Sequence, residues 1–194
     1  MASVFNTAPL DATGDSSVII RDAIEDDMPE IQSIYAYEVY HGLATFELSP
    51  PTVGEMCARR KNVLAMGLPY LTAELDGKVV GYCYAATYRP RLAYRFTIED
   101  SVYVAKDMFR KKIGSQLLSE LLSRCVNGPW RQMIAVIGDS ANAGSIALHK
   151  SMGFKMIGTH NNVGFKLGRW VDTVMMQREL GMGGGTLPDK DEWM

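Results

Sequence analysis

Residues 97–122 read TIEDSVYVAKDMFRKKIGSQLLSELL, and the fold turns on how they are read. Thr97, Ile98, Val102, Tyr103 and Val104 are β-branched or aromatic, as a strand favours. From about Lys112 onward, Ile113, Leu117, Leu118, Leu121 and Leu122 recur at i, i+4, i+5, i+8 and i+9, one face of a helix. Between strand and helix lies the turn Phe109-Arg110-Lys111-Lys112-Ile113-Gly114-Ser115. It aims free backbone N–H groups, the positive end of a helix dipole and three cationic side chains at one spot. Such a helix start is a ready site for a pyrophosphate. A solvated basic turn capping a core helix is the competing reading.

Upstream, Val18 to Arg21 reads as a short strand, and Met28 to Tyr40 as a helix with Pro29 in its first turn. Leu43 to Glu47 is a loop or brief strand, and Pro50-Pro51-Thr52 opens a second helix, Val53 to Ala65. Tyr70 to Leu75 and Lys78 to Thr87 flank Asp76-Gly77, a strong hairpin signal. Downstream, Asn127-Gly128-Pro129 stops the central helix and Gln132 to Ile137 is an apolar strand. A polar loop from Gly138 to Asn142 leads to a helix, Ala143 to Met152, with Gly153 as a left-handed cap. Phe154 to His160 and Phe165 to Arg178 are two late strands. The class is therefore α+β, with a mixed, mostly antiparallel sheet. Residues 1–17 read as a flexible arm, 18–181 as one domain, and 182–194 as a glycine-rich flexible tail.

Composition narrows the function. A chain of 194 residues, 47% apolar and 22% charged, suits one globular domain. The net charge of −2 supplies no attraction to nucleic acid or an anionic membrane. No apolar run approaches the roughly 20 residues that span a bilayer. The N-terminus has no basic stretch ahead of an apolar one, so a secretory signal is not expected. Cys57, Cys83 and Cys125 are odd in number and lack metal-site spacing, and Cys57 and Cys83 have no adjacent basic partner. Reduced thiols, a cytoplasmic location, no bound metal and no acyl-cysteine route are the expectations.

The order of elements, the basic turn and Asn142-Ala143-Gly144-Ser145-Ile146-Ala147-Leu148-His149-Lys150-Ser151-Met152-Gly153-Phe154 together resemble the GNAT superfamily of N-acetyltransferases. More narrowly, three stretches are similar to the phosphinothricin and methionine sulfoximine acetyltransferases. These are Tyr94 to Val104, Ala135 to Gly138, and Gly164 to Asp172. The resemblance covers roughly residues 19–180. It implies about seven strands splayed to hold acetyl-CoA, about four flanking helices, and usually a homodimer. It also implies direct acetyl transfer to an amine in a ternary complex. The chain departs from the family at the pyrophosphate loop, usually Gln/Arg-x-x-Gly-x-Gly/Ala, where Phe109 replaces the first residue and Lys112 the first glycine.

Acetyl transfer from a thioester needs a deprotonated amine, a stabilised carbonyl oxygen and a thiolate that can leave. Glu99 alternates with Asp100 along the strand, and among Phe96, Ile98 and Tyr103 it would be partly desolvated, raising its pKa. The family's proposed base is a glutamate at this position; an exposed strand-end acid is the bland alternative. His149 matches a family histidine and suits a second base or the acid that protonates the thiolate; a polar packing residue is the other reading. Asn142 and Ser145 resemble cofactor contacts, although Asn142 would also serve as an N-cap. The backbone of Val102, Tyr103 and Val104 matches the strand that pairs with pantetheine, and Arg110, Lys111, Lys112, Ile113, Gly114 and Ser115 match the pyrophosphate loop.

For the acceptor, Arg89, Arg91 and Tyr94 precede Glu99 at the offsets of the family's substrate-binding residues. Two guanidiniums can hold a carboxylate and a second anionic group bidentately; a solvated basic loop is the alternative. Phe46, Lys166 and Trp170 also match positions near the acceptor pocket, and Phe46 and Trp170 fit a core equally well. The reading that results is acetylation of the α-amine of a small polar amino acid or analogue. Acetylation of an aminoglycoside, a polyamine or a protein N-terminus is the enzymatic rival, and a non-catalytic acyl-CoA-binding protein is the rival from another class.

Overall fold

The computed structural model describes residues 17–188. The expected N-terminal arm therefore lies almost wholly outside the described residues, as do the last six positions of the tail. The order is β1 (Ile19–Asp22), α1 (Met28–His41), α2 (Val53–Ala65), β2 (Tyr70–Leu75), β3 (Lys78–Thr87), β4 (Thr97–Val104), α3 (Ile113–Cys125), β5 (Gln132–Gly138), α4 (Ala143–Ser151), β6 (Lys155–Lys166) and β7 (Arg169–Glu179). Two helices follow β1, three strands follow them, and α3, β5 and α4 then lead to the two last strands.

One sheet holds all seven strands in the order β1-β2-β3-β4-β5-β7-β6. Every neighbouring pair is antiparallel except β4 and β5, which run parallel. That pairing is short. It joins Thr97–Asp100 to Gln132–Ala135 and then stops, while β4 continues to Val104 and β5 to Gly138. Beyond Asp100 the two strands part, and the gap between them is the feature that positions the site.

Strand parity assigns the two faces. Tyr82 and Tyr103 are paired across β3 and β4, and Tyr103 meets Tyr35 of α1 edge-on at 5.2 Å. Cys83, one residue on, turns the other way and reaches the Leu117 carbonyl of α3. So α1 covers one face and α3 the other. In α3, Leu117, Leu118 and Leu121 are fully buried, each worth about 1.5–3 kcal/mol of apolar burial.

Two local features follow from turn chemistry. Asp76 and Gly77 both take positive φ (52° and 74°), as a tight hairpin turn requires. Where one apolar run from Phe165 suggested the start of the last strand, the structure carries β6 through to Lys166 and begins β7 at Arg169. Leu167 and Gly168 take positive φ (50° and 76°) and form the turn. A leucine in that conformation gives no compositional warning, so the strand start was misplaced. Past Leu180 the chain stays close to the fold: the Gly183 N–H donates to the Leu180 carbonyl, and Arg131 donates to Thr186 Oγ1.

Candidate active site

The parting of β4 and β5 opens a cleft of about 800 Å³. Val102, Tyr103 and Val104 form one wall, and their edge toward β5 has no strand partner. The start of α3 forms another, through Arg110, Lys112, Ile113, Gly114 and Ser115, and Asn142 and Ser145 of the α4 start close a third. Of the residues expected at a cofactor, only Lys111 does not line the cleft; its ammonium lies 3.4 Å from Met108 Sδ.

The α3 start is built to receive an anion. The first intrahelical bond runs from Gln116 N–H to the Lys112 carbonyl, so the amides of Ile113, Gly114 and Ser115 have no acceptor within the helix. Arg110 and Lys112 both sit at positive φ (65° and 61°), which curls the turn around those amides. Lys112 thus adopts the left-handed conformation that a glycine would hold without strain. Lys112→Gly is expected to stabilise the fold by about 1 kcal/mol while weakening acetyl-CoA binding about threefold through loss of one cation. Thermal unfolding and calorimetric titration read the two opposed effects separately.

Asn142 caps α4, its side chain accepting from Ser145 N–H at 3.1 Å, so the capping reading holds while the residue also faces the cleft. Beneath it lies His149, buried, with Nε2 2.9 Å from Asp100 Oδ2 and Nδ1 2.7 Å from the Ser145 carbonyl. Burial pulls the imidazole pKa down, but the Asp100 hydrogen bond and charge, aided by the Ser145 carbonyl, leave it raised. Asp100, which sequence reasoning passed over, is the partner; a carboxylate at a core-facing parity of a strand was the available signal.

Glu99 lies on the opposite face of β4, across from Ala86, where the parallel pairing is about to end. Burial, with the neighbouring Asp100 charge, pushes its carboxyl up to about 7 against the opposing pull of Arg89. A group titrating there is matched to taking a proton at neutral pH. Arg89 lies over the Tyr88 ring at 5.0 Å, and Tyr94 meets the same ring edge-on at 5.7 Å. Arg91, like Arg89, is exposed, on the segment entering β4.

The remaining acceptor candidates are not gathered there. Lys166 is buried, donating to the Thr45 carbonyl at 2.7 Å and the Glu38 carbonyl at 3.2 Å. Its ammonium holds the loop after α1. Phe46, 40% exposed, lays its ring against Gly164 and beside Gly138. Trp170 is exposed and packs edge-on with Phe165 across the β6–β7 turn, so neither of these aromatics is core. Glu38 also lines the cleft, its pKa raised by burial against the pull of Lys166 and His41; its place in the α1 helical period carries no sign of that role.

A splayed parallel pair, a free strand edge and an anion-ready helix start suit a long ligand with amides along its length and an anionic group at one end, as the resemblance to the acetyltransferases implies. Comparison with known proteins agrees. A family model described as an acetyltransferase (GNAT) domain matches residues 20–175. The chain is 54% identical to a phosphinothricin N-acetyltransferase of Alcaligenes faecalis, over 88% of this chain and 86% of that one. It is 38% identical to an L-methionine sulfoximine/L-methionine sulfone acetyltransferase of Pseudomonas aeruginosa, over 84% and 95%. The crystal structure of a phosphinothricin acetyltransferase from Sinorhizobium meliloti in complex with AcCoA superposes with a TM-score of 0.86 at 45% identity, covering 89% and 94%. The chain belongs to the GNAT acetyltransferase family. More particularly, it is an acetyl-CoA-dependent N-acetyltransferase related to the phosphinothricin and methionine sulfoximine enzymes.

Among the described residues no His, Cys, Asp and Glu cluster suits a metal, and no helix is long and apolar enough to cross a membrane. Acetyl-CoA fits what is present: the three unpaired α3 amides with Arg110 and Lys112 suit its pyrophosphate, and the free β4 edge suits its amide-bearing arm. When bound it supplies the activated acetyl group.

Proposed function

We propose that this chain acetylates the α-amine of a small polar amino acid or analogue of the phosphinothricin, methionine sulfoximine or methionine sulfone type, by direct attack in a ternary complex. The observation that carries the reading is the place of Glu99, a half-buried carboxyl at the point where β4 and β5 part, pushed up to about 7 by burial and the Asp100 charge against the pull of Arg89. Glu99 takes the proton from the ammonium, while free β4 amides, in the span Val102–Val104, steady the carbonyl oxygen as charge develops. Arg89, Arg91 and Tyr94 hold the acceptor's carboxylate and its second polar group; guanidiniums there disfavour cationic acceptors such as polyamines.

The exposed apolar side chains of the β6–β7 hairpin, among them Val163, Phe165, Leu167 and Trp170, support a homodimer. A cytoplasmic location and tolerance of toxic amino-acid analogues complete the reading. The test is thiol release from acetyl-CoA over an amine panel. Turnover on phosphinothricin, methionine sulfoximine and methionine sulfone is expected. Turnover confined to spermidine, an aminoglycoside or a peptide N-terminus overturns the acceptor class. Light scattering in solution reads the dimer.

A further inference from the structure

The partners of the Asp100–His149 pair restrict where its protons can sit. His149 Nδ1 faces the Ser145 carbonyl, an acceptor only, at 2.7 Å, with Ser145 Oγ at 3.3 Å; that nitrogen therefore carries a hydrogen. Nε2 faces Asp100 Oδ2 at 2.9 Å, and a lone pair there would oppose a carboxylate. One extra proton must sit between them. A ring so held is already loaded and has no free site to accept a proton from an amine.

The second observation is an orphan. Asp100 Oδ1 is buried and has no hydrogen-bond partner. Asp100 and His149 both line a side pocket of about 50 Å³ that shares Val102, Tyr103, Asn142 and Ser145 with the main cleft. The pocket has room for a water, and a buried carboxylate oxygen requires one.

We propose that Asp100 is the positioning residue that keeps His149 doubly protonated, and that the pair delivers its proton through a water in this pocket to the departing coenzyme A thiolate. The proposal rests on the acetyl transfer described above, with Glu99 as the base. As the acetyl carbon–sulfur bond breaks, its electron pair stays on sulfur. The pair passes one proton to that sulfur and is left as an Asp100 carboxylate and a His149 imidazole protonated at Nδ1. Solvent then returns the proton, while the amine's own protons leave through Glu99 on the other face of β4.

The surroundings favour this state. The His149 pKa is raised despite burial. Cys83 of β3 and Cys125 of α3 feel the Asp100 charge, but burial and that charge hold both thiols neutral, Cys125 pushed up to about 12. Glu99 is the adjacent carboxyl, on the far side of the sheet. Phe154 closes the ring edge-on at 5.1 Å, and among the described residues Ser145 is the only other one hydrogen-bonded to it.

Nitrogen NMR of histidine-labelled wild-type protein, without acceptor, provides a test that needs neither turnover nor a variant. Both His149 ring nitrogens are expected to be protonated at pH 7.5, and a ring with one bare nitrogen overturns the proposal. In Asp100→Asn the ring is expected to be neutral at that pH. Its kcat should fall about tenfold or more, with KM for acetyl-CoA within about threefold and the basic limb of the kcat profile moved to lower pH. An unchanged kcat and basic limb would refute the assignment. His149→Gln keeps a donor toward Asp100 without a titrating proton, and it should lose the basic limb altogether; it decides the matter if Asp100→Asn does not fold. Failure of every amine to turn over would remove the acceptor reading, while the NMR result stands or falls alone.

Discussion

Glu99→Gln is expected to lower kcat/KM by about 10²–10⁴-fold with acetyl-CoA binding preserved. Glutamine keeps the size and polarity of the side chain and removes only its capacity to take a proton. Glu99 pairs across the sheet with Ala86 and Ile134 and forms none of the cleft wall, so the cofactor site should not sense the change. The wild-type profile supplies the second arm. Burial and the Asp100 charge raise this carboxyl to about 7 against Arg89, and the base acts when deprotonated, so rate should climb as pH rises through 7. Stability runs the other way. Between about 4.5 and 7 the folded carboxyl holds a proton that the unfolded chain has released, so its contribution to stability declines as pH rises through that window. Glu99→Gln should therefore lose its acid limb and unfold no more easily than wild type at pH 8. A variant that retains near-normal kcat/KM at saturating cofactor would remove Glu99 as the base.

The sequence made the scaffold legible because local signals agreed with one another. The α3 leucines lie on one face whether read by spacing or by burial, and Asp76-Gly77 turns where hairpin chemistry requires. The α3 wall of the cleft was legible for the same reason: a helix start is a local object, and its neighbours in sequence are its neighbours in space. The contacts between distant segments were not. Lys166 lies 121 residues from the Thr45 carbonyl it holds, and Asp100 lies 49 from His149. A lysine matched to an acceptor pocket and a lysine pinning a loop look alike in one dimension. So do an aspartate on a solvent edge and one buried against an imidazole. Only the parity of β4 hinted at the second.

That loop carries the other large effect: Gly138→Ala is expected to cost about 3 kcal/mol, a fall in Tm of about 6–12 °C, and most of the affinity for acetyl-CoA. A Cβ at Gly138 would be driven into the Leu43 carbonyl oxygen and come within 3.1 Å of its carbon. Neither side can yield cheaply. Gly138 is paired with Thr173 on β7, which fixes the end of β5. The segment after α1 is held three ways: Lys166 binds the Thr45 carbonyl, Tyr35 Oη bonds Thr45 Oγ1 at 2.8 Å, and Tyr35 also donates to Glu47, itself paired with Arg59 at 2.6 Å. Leu43, Ala44 and Gly138 all line the cleft, so whichever moves, the cofactor's seat is deformed. Gly164→Ala is the control, for there the atoms nearest the new Cβ all belong to the Phe46 ring, Cε2 first and Cδ2 next at 2.7 Å. A half-exposed ring can rotate away where a pinned carbonyl cannot. Gly164→Ala should keep both Tm and acetyl-CoA affinity close to wild type while moving Phe46. If the two alanine variants unfold at the same temperature and bind cofactor equally, the close approach of β5 to the α1 loop is not what shapes this cleft.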